Sequence, residues 1–389
     1  MNVCAVVAEY NPLHLGHVKH LSYIREVLGA KYIVVVMSGN FTQRGEPAVL
    51  DKFTRARHAV LAGADLVIEL PTVFATSNAE IFAKGAIKTI LSLGIADAIC
   101  FGAESGTKDD FINLAKALNN ESKEFKKLLK EKLDSGISLV KARFETVKEL
   151  GMDFDESLIS TPNNILGIEY VKAILSQKSD IEIYPMIRTG NHNDKTFKKG
   201  ITSASSIREL VKIGKIKKLK KSMPNFVYRD LTPYPFVFEK LIMGALLRSS
   251  AEELAEISDC TEGLENRLKA LAKDNTSLTS FTEKAVTKRY TLSRINRILI
   301  ANLLGIKNSF VKDCLCEPLY AKVLAVNSVK KELITMLSEN SSVPILTRKS
   351  DYLNLKKTAK KCFGTDIVAL DTYNLATETR ANENNTLFI

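Results

Sequence analysis

The fold is decided by Val3-Cys4-Ala5-Val6-Val7-Ala8-Glu9-Tyr10, which continues into Asn11-Pro12-Leu13-His14-Leu15-Gly16-His17. The apolar run predicts a buried strand, and the residues after it predict a turn and a helix that begins near Gly16. A glycine lets a phosphate approach the main chain, and the N–H groups at a helix start attract that anion. His14 and His17 can donate hydrogen bonds to phosphate oxygens as charge builds on them. Two histidines at this spacing also occur as surface or capping residues, but the preceding strand and turn favour a nucleotide site.

Short β-branched runs alternate with helical segments over the first hundred residues, and this alternation predicts an α/β, Rossmann-like fold with a parallel sheet. Ligands of such sheets bind at the carboxyl ends of the strands, which is where His14 and His17 fall. The predicted strands are Val3–Ala8, Tyr32–Met37, Leu66–Leu70 and Asp97–Phe101, and the predicted helices are His17–Leu28, Lys52–Ala62 and Ala79–Leu93.

The rest of the chain predicts a second, mainly helical part. Residues 1–225 are expected to form the α/β domain, with a lysine- and glutamate-rich helical insertion at about 107–150. A helix at Asn164–Leu175 and a strand at Ile181–Ile187 follow that insertion. Residues 226–389 are expected to form a mainly α-helical, basic C-terminal domain. The polar residues from Arg380 onward predict a loosely ordered end.

Composition narrows the class of protein. The chain of 389 residues has a net charge of +11, which favours a polyanionic partner such as nucleic acid. Six cysteines without a C-x-x-C pair are interpreted as reduced thiols, and Cys314-x-Cys316 lacks the further ligands of a metal site. No uncharged apolar segment reaches 18 residues, so we expect a cytoplasmic protein without a membrane span.

A second motif, Thr202-Ser203-Ala204-Ser205-Ser206-Ile207-Arg208, stands ahead of a helical run. Serine hydroxyls and free N–H groups at a helix start can bind phosphates, and Arg208 can bind a β- or γ-phosphate through two hydrogen bonds. Alone, the motif also fits an ordinary helix cap with a solvated arginine. Together with His14-x-Gly16-His17 it predicts a site for the triphosphate.

Both motifs resemble the HxGH nucleotidylyltransferase superfamily, whose members have a Rossmann-like fold and release pyrophosphate from ATP. This chain has Ala204 where the broader pattern has a serine. Longer blocks in order are similar to the bacterial tRNA(Met) cytidine acetate ligase family. These blocks are Glu9-Tyr10-Asn11-Pro12-x-His14, Met37–Ala48, Asp65–Pro71, Phe101-Gly102-x-Glu104 and Pro162–Gly167.

That resemblance implies an enzyme that joins acetate to AMP and passes the acetyl group to N4 of the wobble cytidine in elongator tRNA(Met). It implies ATP as substrate, with Mg²⁺, and we predict His14, His17 and Arg208 as catalytic residues. The ATP-binding residues that the matching blocks and the serine motif predict are Val7, Ala8, Glu9, Tyr10, Asn11, Pro12, Leu13, His14, Leu15, Gly16, His17, Val18, Lys19, His20, Gly102, Asn163, Asn164, Arg188, Thr189 and Ser205.

Several of these residue types have a structural explanation as well. Gly102 can be a turn at a strand end, and Asn163 or Asn164 can cap a helix. A further group of cations follows the second predicted strand and either approaches phosphates or RNA or forms a solvated helix face. This group is Arg44, Lys52, Arg55 and Arg57.

Two basic clusters are candidates for contact with tRNA phosphates, either of them also typical of a solvated helix face. The first contains Lys217, Lys218, Lys220 and Lys221, and the second contains Lys284, Lys288, Arg289, Arg294 and Arg297.

Other functions stay open at this point. A metabolite adenylyltransferase, or an acetate ligase acting on a protein-bound thiol cofactor, can share both phosphate motifs. A non-catalytic, nucleotide-regulated RNA-binding protein would bind ATP without releasing pyrophosphate. The sequence contains neither a G-x-x-x-x-G-K-[ST] nor a G-x-G-x-x-G loop, so it offers no support for those two nucleotide-binding classes.

Overall fold

One sheet organises the chain in the computed structural model, which describes residues 1–119, 122–137, 139–151, 154–187, 204–233, 237–383 and 386–389. Within these ranges the sheet has eight strands. They are β1 (Val3–Ala8), β2 (Tyr32–Ser38), β3 (Leu66–Leu70), β4 (Ala98–Ala103), β5 (Glu182–Ile187), β6 (Ala321–Val326), β7 (Ile345–Leu346) and β8 (Leu387–Phe388).

The strand order is β5-β4-β1-β2-β3-β6-β7, with β8 paired to β6. Neighbours run parallel, except that β6 is antiparallel to β3. The order changes direction between β1 and β4, the switch point at which α/β sheets bind ligands. Strands β1 to β5 confirm the five strands predicted from the sequence, and the α/β fold class is confirmed with them.

Helices cover both faces of the sheet, so the central strands are buried on both sides and consist of continuous apolar runs. Asp51 caps the second helix by accepting hydrogen bonds from the N–H groups of Phe53 and Thr54. The helices up to β5 are α1 (Leu15–Ser22, continued by a π-helical turn at Tyr23–Val27), α2 (Lys52–Leu61), α3 (Thr72–Ala75), α4 (Ala79–Ser92), α5 (Lys108–Asn119), α6 (Lys123–Asp134), α7 (Leu139–Glu149), α8 (Ser157–Ser160) and α9 (Pro162–Ser176).

After β5 the described chain is mainly helical, as predicted. Its helices are α10 (Ala204–Lys212), α11 (Asn225–Asp230), α12 (Val237–Arg248), α13 (Ala251–Ala255), α14 (Leu264–Asp274), α15 (Leu278–Ala285), α16 (Leu292–Leu304), α17 (Asn308–Cys316), α18 (Glu332–Asn340) and α19 (Lys357–Thr377). Short 3₁₀ helices lie at Ile216–Leu219, Ser328–Lys330 and Lys349–Asn354. No helix in the described ranges is both long and apolar enough to cross a membrane.

The C-terminal part returns to the sheet, which the sequence did not predict. Strand β6 is fully buried and pairs with β3, with Leu66 opposite Val326. Strands β7 and β8 then add to β6. The division of the chain at residue 225 therefore stays a prediction, because residues from both sides of it share one sheet.

The expectation of a loosely ordered end from Arg380 is wrong for the described residues. Strand β8 pairs with β6, and Glu383, which lies in this segment, is buried. The Glu383 carboxylate accepts a hydrogen bond from Lys52, and its carbonyl accepts one from Lys322. Buried ion pairing, which a polar composition does not reveal, fixes this segment.

Candidate active site

A cavity of about 620 Å³ opens at the carboxyl ends of β1, β4 and β5. Its wall combines the turn after β1, the loop after β2, and parts of α4, α9, α10 and α16. A cavity of this size, at the switch point of the sheet, is suited to a small-molecule ligand.

Many of the predicted site residues come together in this wall. Of the residues predicted to bind ATP or to act in catalysis, those that line the cavity are Val7, Ala8, Glu9, Tyr10, Asn11, His14, Gly16, His17, His20, Gly102, Asn163, Ser205 and Arg208. Pro12, Leu13, Leu15, Val18, Lys19 and Asn164 are described but are not part of the wall. Arg188 and Thr189 lie outside the described residues, as do Thr202 and Ser203 of the serine motif.

His14 and His17 form the start of α1. The ring Nδ1 of His14 accepts a hydrogen bond from the N–H of Gly16 at 3.0 Å. The Nδ1 of His17 accepts one from the main-chain N–H of His14 at 3.2 Å. The two rings stack with centroids 3.8 Å apart, and Tyr10 packs edge-on against His17 at 4.9 Å. Each ring is thus held by the backbone of the helix that it caps.

These hydrogen bonds determine which ring nitrogen donates. Because each Nδ1 accepts, the neutral imidazoles of His14 and His17 carry their proton on Nε2. An Nε2–H group is a hydrogen-bond donor, and both rings line the cavity. The geometry therefore supplies two fixed donors at the positive end of a helix, an arrangement suited to an anion.

Arg55 fixes the position of the turn that carries these histidines. It is fully buried and donates to the carbonyl oxygens of Leu50 at 2.9 Å and of Glu9 at 2.6 Å. It also donates to the carbonyls of Ser38, at 3.1 Å, and Gly39. Arg55 thus ties the end of β1 to the end of β2, and it is too buried to contact RNA.

Arg208 connects α10 to the same turn. One of its Nη groups donates to the carbonyl of Asn11 at 3.2 Å, and its Nε lies 3.4 Å from the Glu46 carboxylate. Burial lowers the pKa of the Arg208 guanidinium, while the carboxylates of Glu46 and Glu9 oppose that change. Arg208 still lines the cavity beside Ser205, so it combines a structural contact with access to a ligand.

The wall carries more positive than negative charge. Three arginines line it, and Arg44 and Arg297 were not among the predicted ATP-binding residues. Among the described lining residues Glu9 is the one acid, and its carboxylate accepts a hydrogen bond from the N–H of Gln43 at 2.9 Å. This balance favours a ligand with several negative charges.

The side of the cavity near β4 is less charged. Gly102, Ile165 and Leu166 line it together with Asn163, whose amide donates to Glu104 at 2.6 Å. Asn164 is fully buried and bonds the main-chain N–H of Glu104 and the side chain of Ser105. Asn163 therefore can reach a ligand, whereas Asn164 holds the loop after β4.

The first basic cluster is exposed. Lys217 and Lys218 lie on the 3₁₀ helix at Ile216–Leu219, and Lys220 and Lys221 lie in the turn after it. These ammonium groups are therefore available to a phosphate backbone.

The second cluster does not form one helix face. Lys284 lies near the end of α15 and Lys288 and Arg289 lie in the following loop, all three exposed, while Arg294 and Arg297 lie on α16. Arg294 is held by the carbonyl of Asp259 and by Thr261, and Arg297 by the Asp259 carboxylate. Asp259 and Glu262, from an earlier loop, pair with Arg289, Arg294 and Arg297, so the positive charge of this cluster is partly neutralised.

The remaining polar candidates are accounted for by internal contacts. Arg57 and His58 both pair with Asp230, and Lys52 is buried between Glu69 and Glu383. Among the described residues no three His, Cys, Asp or Glu side chains are placed to bind one metal ion. Burial raises the pKa of the Cys4 thiol to about 12, so Cys4 is held as an unreactive core residue.

The fold and the site define a nucleotidyltransferase, and the family described as HIGH Nucleotidyl Transferase matches residues 1–386. The tRNA(Met) cytidine acetate ligase of Clostridium novyi is 38% identical over 387 residues, covering 96% of this chain and 95% of that protein. Its counterpart in Acetivibrio thermocellus is 35% identical over 392 residues, covering 96% and 94%. The chain belongs to the tRNA(Met) cytidine acetate ligase family, which confirms the resemblance found in the sequence.

Solved structures agree with this assignment. The apo crystal structure of Thermotoga maritima TmcAL matches with a TM-score of 0.93 and 29% identity, covering all of both chains. A second crystal structure, of Thermotoga maritima TmcAL bound with alpha-thio ATP, matches with a TM-score of 0.91 over the full length of both chains.

Proposed function

We propose that this protein is an ATP-dependent acetate ligase that acetylates a cytidine of tRNA(Met). The proposal rests first on the pair His14 and His17, fixed at the start of α1 in the wall of a cationic cavity. Family membership supplies the acyl donor and the acceptor, because the relatives are tRNA(Met) cytidine acetate ligases. We propose further that the atom acetylated is N4 of the wobble cytidine in elongator tRNA(Met).

The reaction has two steps. A carboxylate oxygen of acetate attacks the α-phosphorus of ATP, and the bond from that phosphorus to the bridging oxygen breaks, which releases pyrophosphate. The amine N4 of cytidine then attacks the carbonyl carbon of acetyl-AMP, AMP leaves with its oxygen, and N4 loses one proton. Activation is needed because acetate itself would have to expel oxide, whereas AMP is a good leaving group.

The protein mainly orients anions and neutralises charge in the first step. His14 and His17 donate from Nε2 to the phosphate oxygens, on which charge builds as pyrophosphate departs. Arg208 binds the β- or γ-phosphate beside Ser205. If Mg²⁺ is bound with the nucleotide, it would supply further positive charge, and Glu9, the one carboxylate among the described lining residues, would be its candidate protein ligand.

Adenosine is assigned to the side of the cavity near β4. Gly102 lets the nucleoside lie close to the main chain, and Asn163 can hydrogen-bond the base or the ribose. Asn164 does not line the cavity and is proposed to act indirectly, because its amide holds the loop that carries Glu104. Contacts of Arg188 and Thr189 with ATP stay predictions from the family blocks.

The exposed lysines and arginines are proposed to bind the tRNA backbone. Lys284, Lys288 and Arg289 precede α16 in the chain, and Thr291 and Ser293 at the start of that helix line the cavity. A backbone bound at this loop would present its bases to the site. Action on tRNA is consistent with a cytoplasmic enzyme.

The proposal is tested with labelled acetate, ATP and unmodified tRNA(Met). We expect label on the tRNA, and N4-acetylcytidine when the tRNA is digested and its nucleosides are identified by mass spectrometry. A metabolite adenylyltransferase, or a ligase for a thiol cofactor, would leave the tRNA unlabelled. A non-catalytic RNA-binding protein would bind ATP without releasing pyrophosphate, and either result would overturn the proposal.

A further inference from the structure

A helix of the C-terminal part contributes to the nucleotide cavity. Thr291, Ser293 and Arg297, from α16 and the residue before it, line the same wall as His14 and Arg208. The sequence assigned Arg297 to an RNA-binding surface, but only 9% of the residue is exposed. Its position on the cavity wall therefore requires a different explanation.

Arg297 is held in a fixed orientation. Its Nε and Nη2 lie 2.9 and 2.7 Å from the same oxygen of Asp259. Asp259 is its one hydrogen-bonding partner among the described residues. A guanidinium has five N–H groups, so three remain for a ligand. A guanidinium fixed on one side and open on the other is preorganised for binding an anion.

Arg44 lies next to Arg297 because two main-chain segments touch. The neighbouring residue Gly45 has φ of +70°, and a Cβ built on it would stand 2.2 Å from the main-chain nitrogen of Arg297. A glycine is required for this close approach. Arg44 itself lines the cavity and has no hydrogen bond or ion pair to another residue in the described ranges.

Arg208 is the third cation, and it lies near the loop after β2 that carries Arg44 and Glu46. Glu46 contacts Arg208, and the positive charge of Arg44 lowers the pKa of Arg208, although burial is the larger cause of that change. Three guanidinium groups line this cavity, and Glu46 and Asp259 each pair with only one of them, so part of the positive charge is not offset. Such a cluster favours a ligand with several adjacent negative charges.

We propose that Arg44 and Arg297, together with Arg208, bind the terminal phosphates of ATP and the pyrophosphate that leaves. This inference rests on the proposed function and deepens it, because it states which part of ATP contacts Arg44 and Arg297. Acetate carries a single charge and needs only one such partner, whereas the triphosphate tail uses all three. The less charged side near Gly102 and Asn163 is left for adenosine, so the nucleotide lies across the cavity.

The experiment compares Arg44→Met with the double variant Arg297→Met/Asp259→Asn. The second substitution removes the carboxylate that would otherwise be left without its partner. We expect the KM for ATP and the inhibition constant of pyrophosphate to rise about tenfold in each, because one charge-assisted hydrogen bond to phosphate is removed. The KM for acetate and the Kd for tRNA measured without ATP should not change. Arg248→Met, an exposed arginine on α12, is the control that should match wild type.

The outcomes separate the alternatives. Pyrophosphate inhibition that is unchanged in both variants overturns the assignment. A raised KM for acetate alone would give these arginines to the acyl donor, and a weaker tRNA Kd alone would return Arg297 to the RNA surface; either overturns it. If the double variant does not fold, Arg44→Met decides, because Arg44 makes no hydrogen bond or ion pair to the described residues.

Binding of pyrophosphate by the three arginines can also be tested apart from the proposed function. Calorimetric titration of wild type with inorganic pyrophosphate measures this binding without any acetyl transfer. Binding that is about tenfold weaker in Arg44→Met supports the inference even if wild type fails to transfer acetate to tRNA, whereas unchanged binding overturns it.

Discussion

The guanidinium of Arg55 donates a 2.6 Å hydrogen bond to the main-chain carbonyl of Glu9. Arg55 does not line the cavity, but this hydrogen bond fixes the turn that carries His14 and His17. The other donors of Arg55 bind Leu50, Ser38 and Gly39, so one side chain joins the ends of two neighbouring strands.

Replacing Arg55 with methionine is expected to destabilise the protein by about 3 kcal/mol, since several buried carbonyl oxygens would be left without their donor. Urea unfolding followed by circular dichroism measures this change. Arg57→Met is the matched control on the same helix. Its ion pair with Asp230 is between partly exposed side chains, so its removal should cost less than about 1 kcal/mol. Equal effects of the two substitutions would contradict the positioning role of Arg55.

Replacing His17 with alanine should slow pyrophosphate release by about 10²- to 10³-fold, because the transition state is deprived of a hydrogen-bond donor to its developing charge. The substitution removes the hydrogen bond that His17 accepts from the N–H of His14. Because His17 is only half-buried, the fold should nevertheless survive. Stopped-time assays of pyrophosphate, with a thermal unfolding curve of the same sample, measure both properties. Wild-type turnover would refute the role of His17. His14→Ala should in addition cost about 1 kcal/mol of stability, because His14 caps α1.

Reversing the charge of Lys284, Lys288 and Arg289 to glutamate should weaken tRNA binding about tenfold or more. The dependence of binding on salt should also become shallower, by about 0.7 to 0.9 for each phosphate that is no longer neutralised. Fluorescence titrations at several salt concentrations measure both quantities. Arg294 is left unchanged because it is held by Asp259 and Thr261. Lys126→Glu/Lys127→Glu/Lys130→Glu, at exposed positions on α6, is a control with the same change in net charge, and equally weakened binding in both variants would mean that only net charge matters.

The buried group around Lys52 predicts a dependence of stability on pH. Both oxygens of Glu69 accept hydrogen bonds from Lys52, at 2.8 and 2.7 Å, and Glu383 and Asp366 lie close to the same ammonium group. Burial raises the pKa of Glu69 to about 8, although Lys52 opposes this, and burial raises the pKa of Asp366 to about 6.

In the unfolded chain a glutamate has a pKa of about 4.3, so between there and about 8 the folded protein binds more protons than the unfolded chain. The contribution of Glu69 is therefore complete at low pH and is lost as the pH rises through about 8. Urea unfolding at pH values of about 5, 6.5 and 8 should show a steeper fall in the free energy of unfolding for wild type than for Glu69→Gln. Glu182→Gln, at an exposed ion pair with Lys108, should keep the wild-type slope. An identical slope in Glu69→Gln would show that this carboxyl does not titrate differently in the two states.

Much of the fold follows from local pattern. Strands β1 to β5 and helices α2, α4 and α9 lie close to their predicted bounds, because alternating apolar runs and helix caps are encoded by nearby residues. Strand β6 was missed because a run of six residues between helices does not reveal its partner, which is β3.

The site was predictable where a motif is contiguous and less so where partners meet only in the fold. His14, Gly16 and His17 form one short motif and line one wall. Arg297 was assigned to an RNA surface because its neighbours in sequence are basic, whereas the acid that holds it, Asp259, lies 38 residues earlier. Asn164 has the residue type of a nucleotide contact, but its amide is used inside the loop after β4.

Formation of acetyl-AMP in this cavity is tested most simply by the exchange of labelled pyrophosphate into ATP in the absence of tRNA. Because this step is reversible, we predict exchange that requires acetate and that is lost in His17→Ala. Exchange that proceeds equally well without acetate, or no exchange although ATP and acetate are bound, would contradict the proposed activation of acetate.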